Sequence, residues 1–133
     1  MANRAFDTIT RYYAAVWGSL DFDAFAATIS PTAQIWCTCD GMNEKMTVKE
    51  FLVRMRVGHF ENTTEICVKS LNISGTTSPV FKVQEEAEFK RLGKGMNETE
   101  PGWYSYHGHG TLTVGDDDLI NNIRYEFIKT LKK

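Results

Sequence analysis

The chain has 133 residues, of which 42% are hydrophobic and 24% charged, and its formal net charge is −2. One domain with a buried core fits that length and composition; long disordered stretches do not. The missing basic surplus excludes nucleic acid as an expected partner, and no apolar run reaches the roughly 20 residues of a membrane span.

Residues 3–17 carry helical periodicity, with Phe6, Ile9, Tyr13, Val16 and Trp17 on one stripe. Gly18 and Ser19 end that helix. Asp21 or Asp23 starts a second helix with Phe22, Phe25, Ala26 and Ile29 facing inward, and Ser30-Pro31 stops it. Residues 33–38 read as a short strand, and Asp40-Gly41 as a turn. Thr47 and Glu50 form a capping box for a third helix, whose stripe is Val48, Phe51, Leu52 and Met55 and whose end falls near Gly58. The period then changes from 3.6 to 2. Strands are expected over 65–74, 80–92, 103–114 and 119–128, joined by a polar hairpin at 93–102 and a turn at 115–118, as an antiparallel meander.

Residues 1–7 lack the apolar core of a secretory signal, which predicts a cytoplasmic protein. Three cysteines, Cys37, Cys39 and Cys67, are an odd count that argues against a disulfide framework. Sequons at Asn62, Asn72 and Asn97 then mark polar turns. Lys90, Arg91 and Lys94 are balanced by Glu85, Glu86, Glu88, Glu98 and Glu100, which reads as a solvated hairpin.

The segments Arg11-Tyr12-Tyr13-Ala14-Ala15-Val16, Leu20-Asp21-Phe22-Asp23-Ala24-Phe25 and Ala33-Gln34-Ile35-Trp36 resemble the opening of the nuclear-transport-factor-two-like superfamily. Its pattern is a tyrosine on the first helix, an Asp-aromatic or Asp-Leu-Asp step, and a short strand ending in an acid. Over the rest of the chain the likeness is in strand order and length. Within the superfamily the sequence looks most like the polyketide-cyclase-like and ketosteroid-isomerase-like proteins. The resemblance implies an α+β cone, with N-terminal helices packed in the concave face of a strongly curved antiparallel sheet and a pocket at its mouth. It implies no single reaction, because this fold hosts dehydratases, isomerases, cyclases, epoxide hydrolases and binders. In ketosteroid-isomerase-like enzymes an Asp at the end of the first strand is the proton-shuttling base. Cys37 stands there, beside Thr38 and Cys39, with Asp40 in the following turn. The second acid of those enzymes falls near His109-Gly110. Tyr12 matches their oxyanion-donor tyrosine.

Strand phase nominates the chemistry. Phe81, Val83, Glu85, Ala87 and Phe89 share one face, apolar except for Glu85. Burial there raises a carboxyl pKa and makes a general acid or base; a bulge or an end-of-sheet salt bridge would instead turn Glu85 outward. Tyr104, Tyr106, Gly108, Gly110, Leu112 and Val114 suit the concave side, which sends His107 and His109 outward. A phase shift of one residue would bring both histidines into the pocket as acid–base groups. No third ligand accompanies them, so no metal is expected. Tyr12 or Tyr13 is the candidate hydrogen-bond donor. Trp17, Trp36, Phe51, Met55, Tyr106, Leu112, Tyr125 and Phe127 are pocket-wall candidates, or simply core. His59 reads as a helix C-terminal cap, and Cys37 as a buried thiol unless a nearby base activates it. These features predict a cofactor-free protein for a small hydrophobic or aromatic molecule, acting as an isomerase, dehydratase or cyclase, and forming a homodimer. The rival reading is a non-enzymatic dimerisation or protein-interaction module built on the outer sheet face.

Overall fold

The computed structural model describes residues 4–39, 41–75, 79–94 and 100–132. Helix α1 is Arg4–Ala14, and it runs on into a π-helical turn at Ala15–Ser19. Helix α2 is Phe22–Ala26, capped by Asp21, whose side chain accepts from the Ala24 N–H at 3.1 Å. Strands β1 (Ile29–Cys39) and β2 (Met42–Met46) form a hairpin. Helix α3 is Val48–Met55, followed by a second π-helical turn at Arg56–Phe60. The capping box is present: the Thr47 hydroxyl accepts from the Glu50 N–H, and the Glu50 carboxylate accepts from the Thr47 N–H. Four long strands follow: β3 (Thr63–Ser74), β4 (Val80–Arg91), β5 (Gly102–Val114) and β6 (Ile120–Leu131).

The sheet order is β2-β1-β6-β5-β4-β3. Neighbours from β3 to β6 pair antiparallel, as the period-2 segments predict. Three features differ from the expectation, the first being that Ile29-Ser30-Pro31, expected to close the second helix, opens β1. Strand β1 is longer than 33–38 and pairs parallel with β6, so the sheet is mixed. Strand β2 occupies a segment whose polar run Asn43-Glu44-Lys45 has no period-2 signal, because it is an exposed edge. The parallel pair follows from an even number of reversals, one in the β1–β2 hairpin and three in the meander from β3 to β6, which bring β6 back beside β1 in the same direction. Bulges in β1, β3 and the β5–β6 pair bend the sheet around the helices.

The core lies between α1, α2 and α3 and the concave face of the sheet. Ile9, Phe25, Phe51, Phe81, Phe89, Ile120 and Ile123 are buried there. Phe25 meets Tyr12 at 4.8 Å and Phe60 at 5.0 Å between ring centroids, which closes the helices onto one another. Among the described residues no helix is long and apolar enough to cross a membrane. The three cysteines are free thiols. Asn62 is fully buried, so its sequon is not a glycosylation site; Asn97, Asp40 and part of the 93–102 hairpin lie outside the described residues.

Thr47→Ala removes one half of the capping box, and it is expected to cost about 1 kcal/mol. That corresponds to a Tm lower by about 3–6 °C in thermal unfolding followed by circular dichroism.

Candidate functional site

Glu85 sits in the middle of β4, between Val83 and Ala87, both buried. Its side chain points into the cone. The Trp17 indole N–H donates to Oε1 at 2.9 Å, and the Tyr106 hydroxyl faces Oε2 at 3.5 Å. Two local devices build this arrangement. Trp17 lies in the π-helical turn that ends α1, where widening of the helix re-aims its side chains; Leu20, in the left-handed region (φ 53°), terminates it. Gly108 is the cross-strand partner of Glu85. A methyl group on Gly108 would lie 2.8 Å from the Tyr106 hydroxyl and ring edge. The absent side chain is what lets the Tyr106 ring lie along its own strand and reach the carboxyl group.

An aromatic cage surrounds the carboxyl. Trp17 stacks on Phe89 at 5.8 Å and meets Tyr106 edge-on at 5.3 Å. Tyr106 stacks on Phe127 at 5.4 Å, and Phe127 on Tyr125 at 5.9 Å. Burial among these rings pushes the Glu85 pKa up to about 7, and the Trp17 and Tyr106 hydrogen bonds offset part of that rise by favouring the ionised form. Burial first, and the Glu85 charge second, hold the Tyr12, Tyr13 and Tyr106 hydroxyls protonated, so these phenols are donors. Burial also raises the Cys37 thiol; a hydrogen bond with Tyr125 offsets this only in part. The thiol is therefore neutral, and nothing here activates it.

The sequence matches no protein-family model and no curated protein. Solved structures do match. A candidate polyketide cyclase from Pseudomonas putida superposes with a TM-score of 0.71 at 13% identity, covering 91% of this chain and 89% of that one. Another from Xanthomonas campestris gives 0.65 at 16% identity, covering 94% and 92%. A Mycobacterium tuberculosis protein, solved in complex with estradiol-17beta-hemisuccinate, gives 0.65 at 15% identity, covering 92% of each chain. The chain has the nuclear-transport-factor-two-like fold.

Within this cone the structure sorts the candidate residues. Glu85, Trp17 and Tyr106 touch one another, while Phe127 and Tyr125 extend the ring stack toward Phe51, 5.9 Å from Tyr125. Tyr12 and Tyr13 are buried on α1 with their rings 4.8 Å apart. Leu112 is core, and Met55 packs against the core from α3. His107 and His109 are exposed on the outer face, so the first phase assignment holds and they do not join Glu85. His109 faces Glu126 at 3.6 Å. Among the described residues no cluster of metal ligands forms. Trp36 is a correction: alternation on β1 turns Ile35 and Cys37 inward, and Trp36 lies outside between Lys45 and Arg124, 5.3 and 5.4 Å from its ring centroid.

Two open troughs, of about 310 and 220 Å³, lie on the outer face of the sheet, away from the mouth of the cone where the pocket is expected. The larger is a trough between the row Asn72, Gln84, His109, Glu126 and the row Ser70, Glu86, His107, Ile128. Inside, the cage rings pack on one another around Glu85.

Two buried groups were not singled out for this region. His59, expected as a C-terminal cap of its own helix, is buried against other elements: its Nε2 lies 2.6 Å from the Val16 carbonyl oxygen, and its Nδ1 2.7 Å from Arg91 Nη1. Arg91 is not part of a solvated hairpin: it is buried, 3.9 Å above the Phe89 ring, and donates to Thr63 Oγ1. Extending the β4 alternation two residues past Phe89 lands on Arg91, so its inward direction was present in the period.

Glu85 gives stability a pH dependence. Its folded pKa is above the ordinary 4.5, so its contribution is full below pH 4.5 and is lost as pH rises through about 7. Glu85→Gln stays neutral throughout. The variant is expected to gain about 2–3 kcal/mol on the wild type between pH 5 and pH 8, measured by urea unfolding; a constant difference between the two proteins would show that Glu85 is not buried as described. Gly108→Ala is expected to displace the Tyr106 ring, remove a donor from the carboxylate and move the Glu85 midpoint above the wild-type value in a carboxyl 13C NMR titration.

Proposed function

We propose that this chain binds an apolar small molecule at the mouth of its cone and acts on it by cofactor-free acid–base chemistry at Glu85. The observation that carries the reading is the Glu85 carboxyl, poised near neutrality among Trp17, Tyr106 and the other rings. Such a group accepts a proton from a carbon acid and returns it at the same pH. Taken from a carbon beside a carbonyl and returned to another carbon, that proton makes an isomerisation. Delivered to a leaving hydroxyl, it makes a dehydration that releases water. Protonated phenols at Tyr106, Tyr12 and Tyr13 are donors of the kind an oxyanion requires.

The open edge of the cone favours an apolar ligand. Leu71 on β3 is the register partner of Glu85, and Val68 is that of Ala87, so both share the concave side. They are 36% and 42% exposed, an apolar lip beside the carboxyl. The fold neighbour that holds a steroid hemisuccinate supports a ligand of this class.

Estradiol-17beta-hemisuccinate serves as the probe, with binding followed by quenching of tryptophan fluorescence. The wild type is expected to bind it with an affinity that weakens as pH rises through 7. Glu85→Gln should remove that pH dependence, and Leu71→Arg should weaken binding at least tenfold. No binding up to the solubility limit, or binding indifferent to both substitutions, would overturn the proposal.

A second reading concerns the outer face. On the convex side Ile128, 61% exposed, lines the trough that contains His107 and His109, and Trp103, 36% exposed, lies farther along β5. We propose this face as the contact between two copies. Native mass spectrometry is expected to show a dimer that Ile128→Glu splits; a wild-type monomer at micromolar concentration would refute it.

A further inference from the structure

The two π-helical turns meet ring to ring. Trp17 in the first and His59 in the second contact edge-on, with centroids 5.3 Å apart and planes at 86°. His59 also holds the backbone beside Trp17, through its 2.6 Å contact with the Val16 carbonyl oxygen. That carbonyl lies in the last turn of its helix, where backbone acceptors run out of intrahelical partners. Arg91 approaches the other ring nitrogen at 2.7 Å. A guanidinium is a donor only, so Nδ1 accepts and the proton of neutral His59 sits on Nε2, where it donates to Val16. Burial and the Arg91 charge push the His59 pKa down to about 3, so the ring holds this one neutral tautomer across the physiological range. Arg91 is itself fixed by the Phe89 face and Thr63 Oγ1. Phe89 closes the loop, because Trp17 stacks on it.

We propose that His59, with its tautomer set by Arg91, is a positioning residue that holds the Trp17 indole N–H on Glu85. The inference rests on Glu85 being the working group of the site, and it adds the device that sets the proton affinity of that group. Neither His59 nor Arg91 touches the carboxyl group in the contacts above; both act through Trp17. The polar pair lies behind the cage, so it orients the donor without placing a second charge beside the reacting carboxyl.

The experiment reads Glu85 directly and needs neither ligand nor turnover, so its failure would leave the binding proposal standing, and the reverse. Carboxyl 13C NMR titrations are recorded for the wild type, His59→Asn, Trp17→Phe and the double variant, with the Glu85 signal assigned by its loss in Glu85→Gln. His59→Asn is expected to raise the Glu85 midpoint by about one pH unit, the worth of one donor to a carboxylate. Trp17→Phe should raise it similarly, and the double variant should match Trp17→Phe alone, because both substitutions break one path. An unshifted midpoint in His59→Asn, or shifts that add in the double variant, would overturn the proposal. Should His59→Asn fail to fold, Arg91→Met, which takes the donor away from Nδ1, gives the same test with 15N shifts of the His59 ring. A mixed tautomer with a raised Glu85 midpoint supports the path. A mixed tautomer with an unchanged midpoint, or an unchanged tautomer, refutes it.

Discussion

A carboxyl group on the apolar face of a strand is the constraint around which this cone is arranged. Glu85 takes the place of an aliphatic side chain in the run Phe81, Val83, Ala87, Phe89. Desolvating an ionised carboxylate there costs several kcal/mol unless donors meet it. The chain answers with one donor from the helix layer, Trp17, and one from the neighbouring strand, Tyr106. Each donor needs its own backbone device, a π-helical turn for the first and Gly108 for the second. The result leaves the group neither fully ionised nor fully neutral near pH 7. That is a poor way to stabilise a core and a good way to keep an acid–base group in reserve.

The same requirement explains the second buried polar cluster. A helix that ends deep in the protein must satisfy its last carbonyls. At the end of α1 a histidine from the end of α3 does this for Val16, and an arginine from the end of β4 fixes the histidine. Three element ends therefore converge behind Trp17. Asn62 ties the neighbouring backbone into the joint: its carbonyl oxygen accepts from the Leu92 N–H at 2.7 Å and its side-chain oxygen from the Lys94 N–H at 2.8 Å. Stiffness behind the indole is what makes a 2.9 Å contact to a carboxylate a fixed feature rather than one rotamer among several.

Much of this was legible in the chain, and the limits have physical causes. Period-2 alternation on β4 and β5 fixed which way Glu85, Tyr106, His107 and His109 point, because one face of the sheet is buried and register cannot slip by one. Asp21 and Thr47 announced their helices by capping chemistry. Trp36 was misplaced because an aromatic in a short apolar run reads as core; only its pairing with Lys45 and Arg124 shows that its ring is covered from outside by cation stems. The parallel β1–β6 pair and the π-helical turns carry no local signal at all. Both are decided by tertiary packing, the first by how the meander returns and the second by where Trp17 and His59 can meet.

The position of the carboxyl also constrains any reaction this chain performs. The resemblance to ketosteroid-isomerase-like enzymes implies a base at the end of the first strand, where this chain has Cys37, a neutral thiol hydrogen-bonded to Tyr125. Among the described residues of the four long strands, Glu85 is the carboxyl that faces inward, and it stands on β4, two strands beyond β6. A substrate would have to present its acidic carbon toward the β3–β4 edge, beside Leu71 and Val68, with its developing negative charge turned back toward the tyrosines. In the proposed reaction the base would stand across the sheet from Cys37, among the same apolar walls and phenol donors of the cone, and would take the proton from another side. A ligand shared with a first-strand enzyme would therefore have to bind in a different orientation, so the stereochemistry of proton transfer would follow from the strand that carries the acid rather than from the fold.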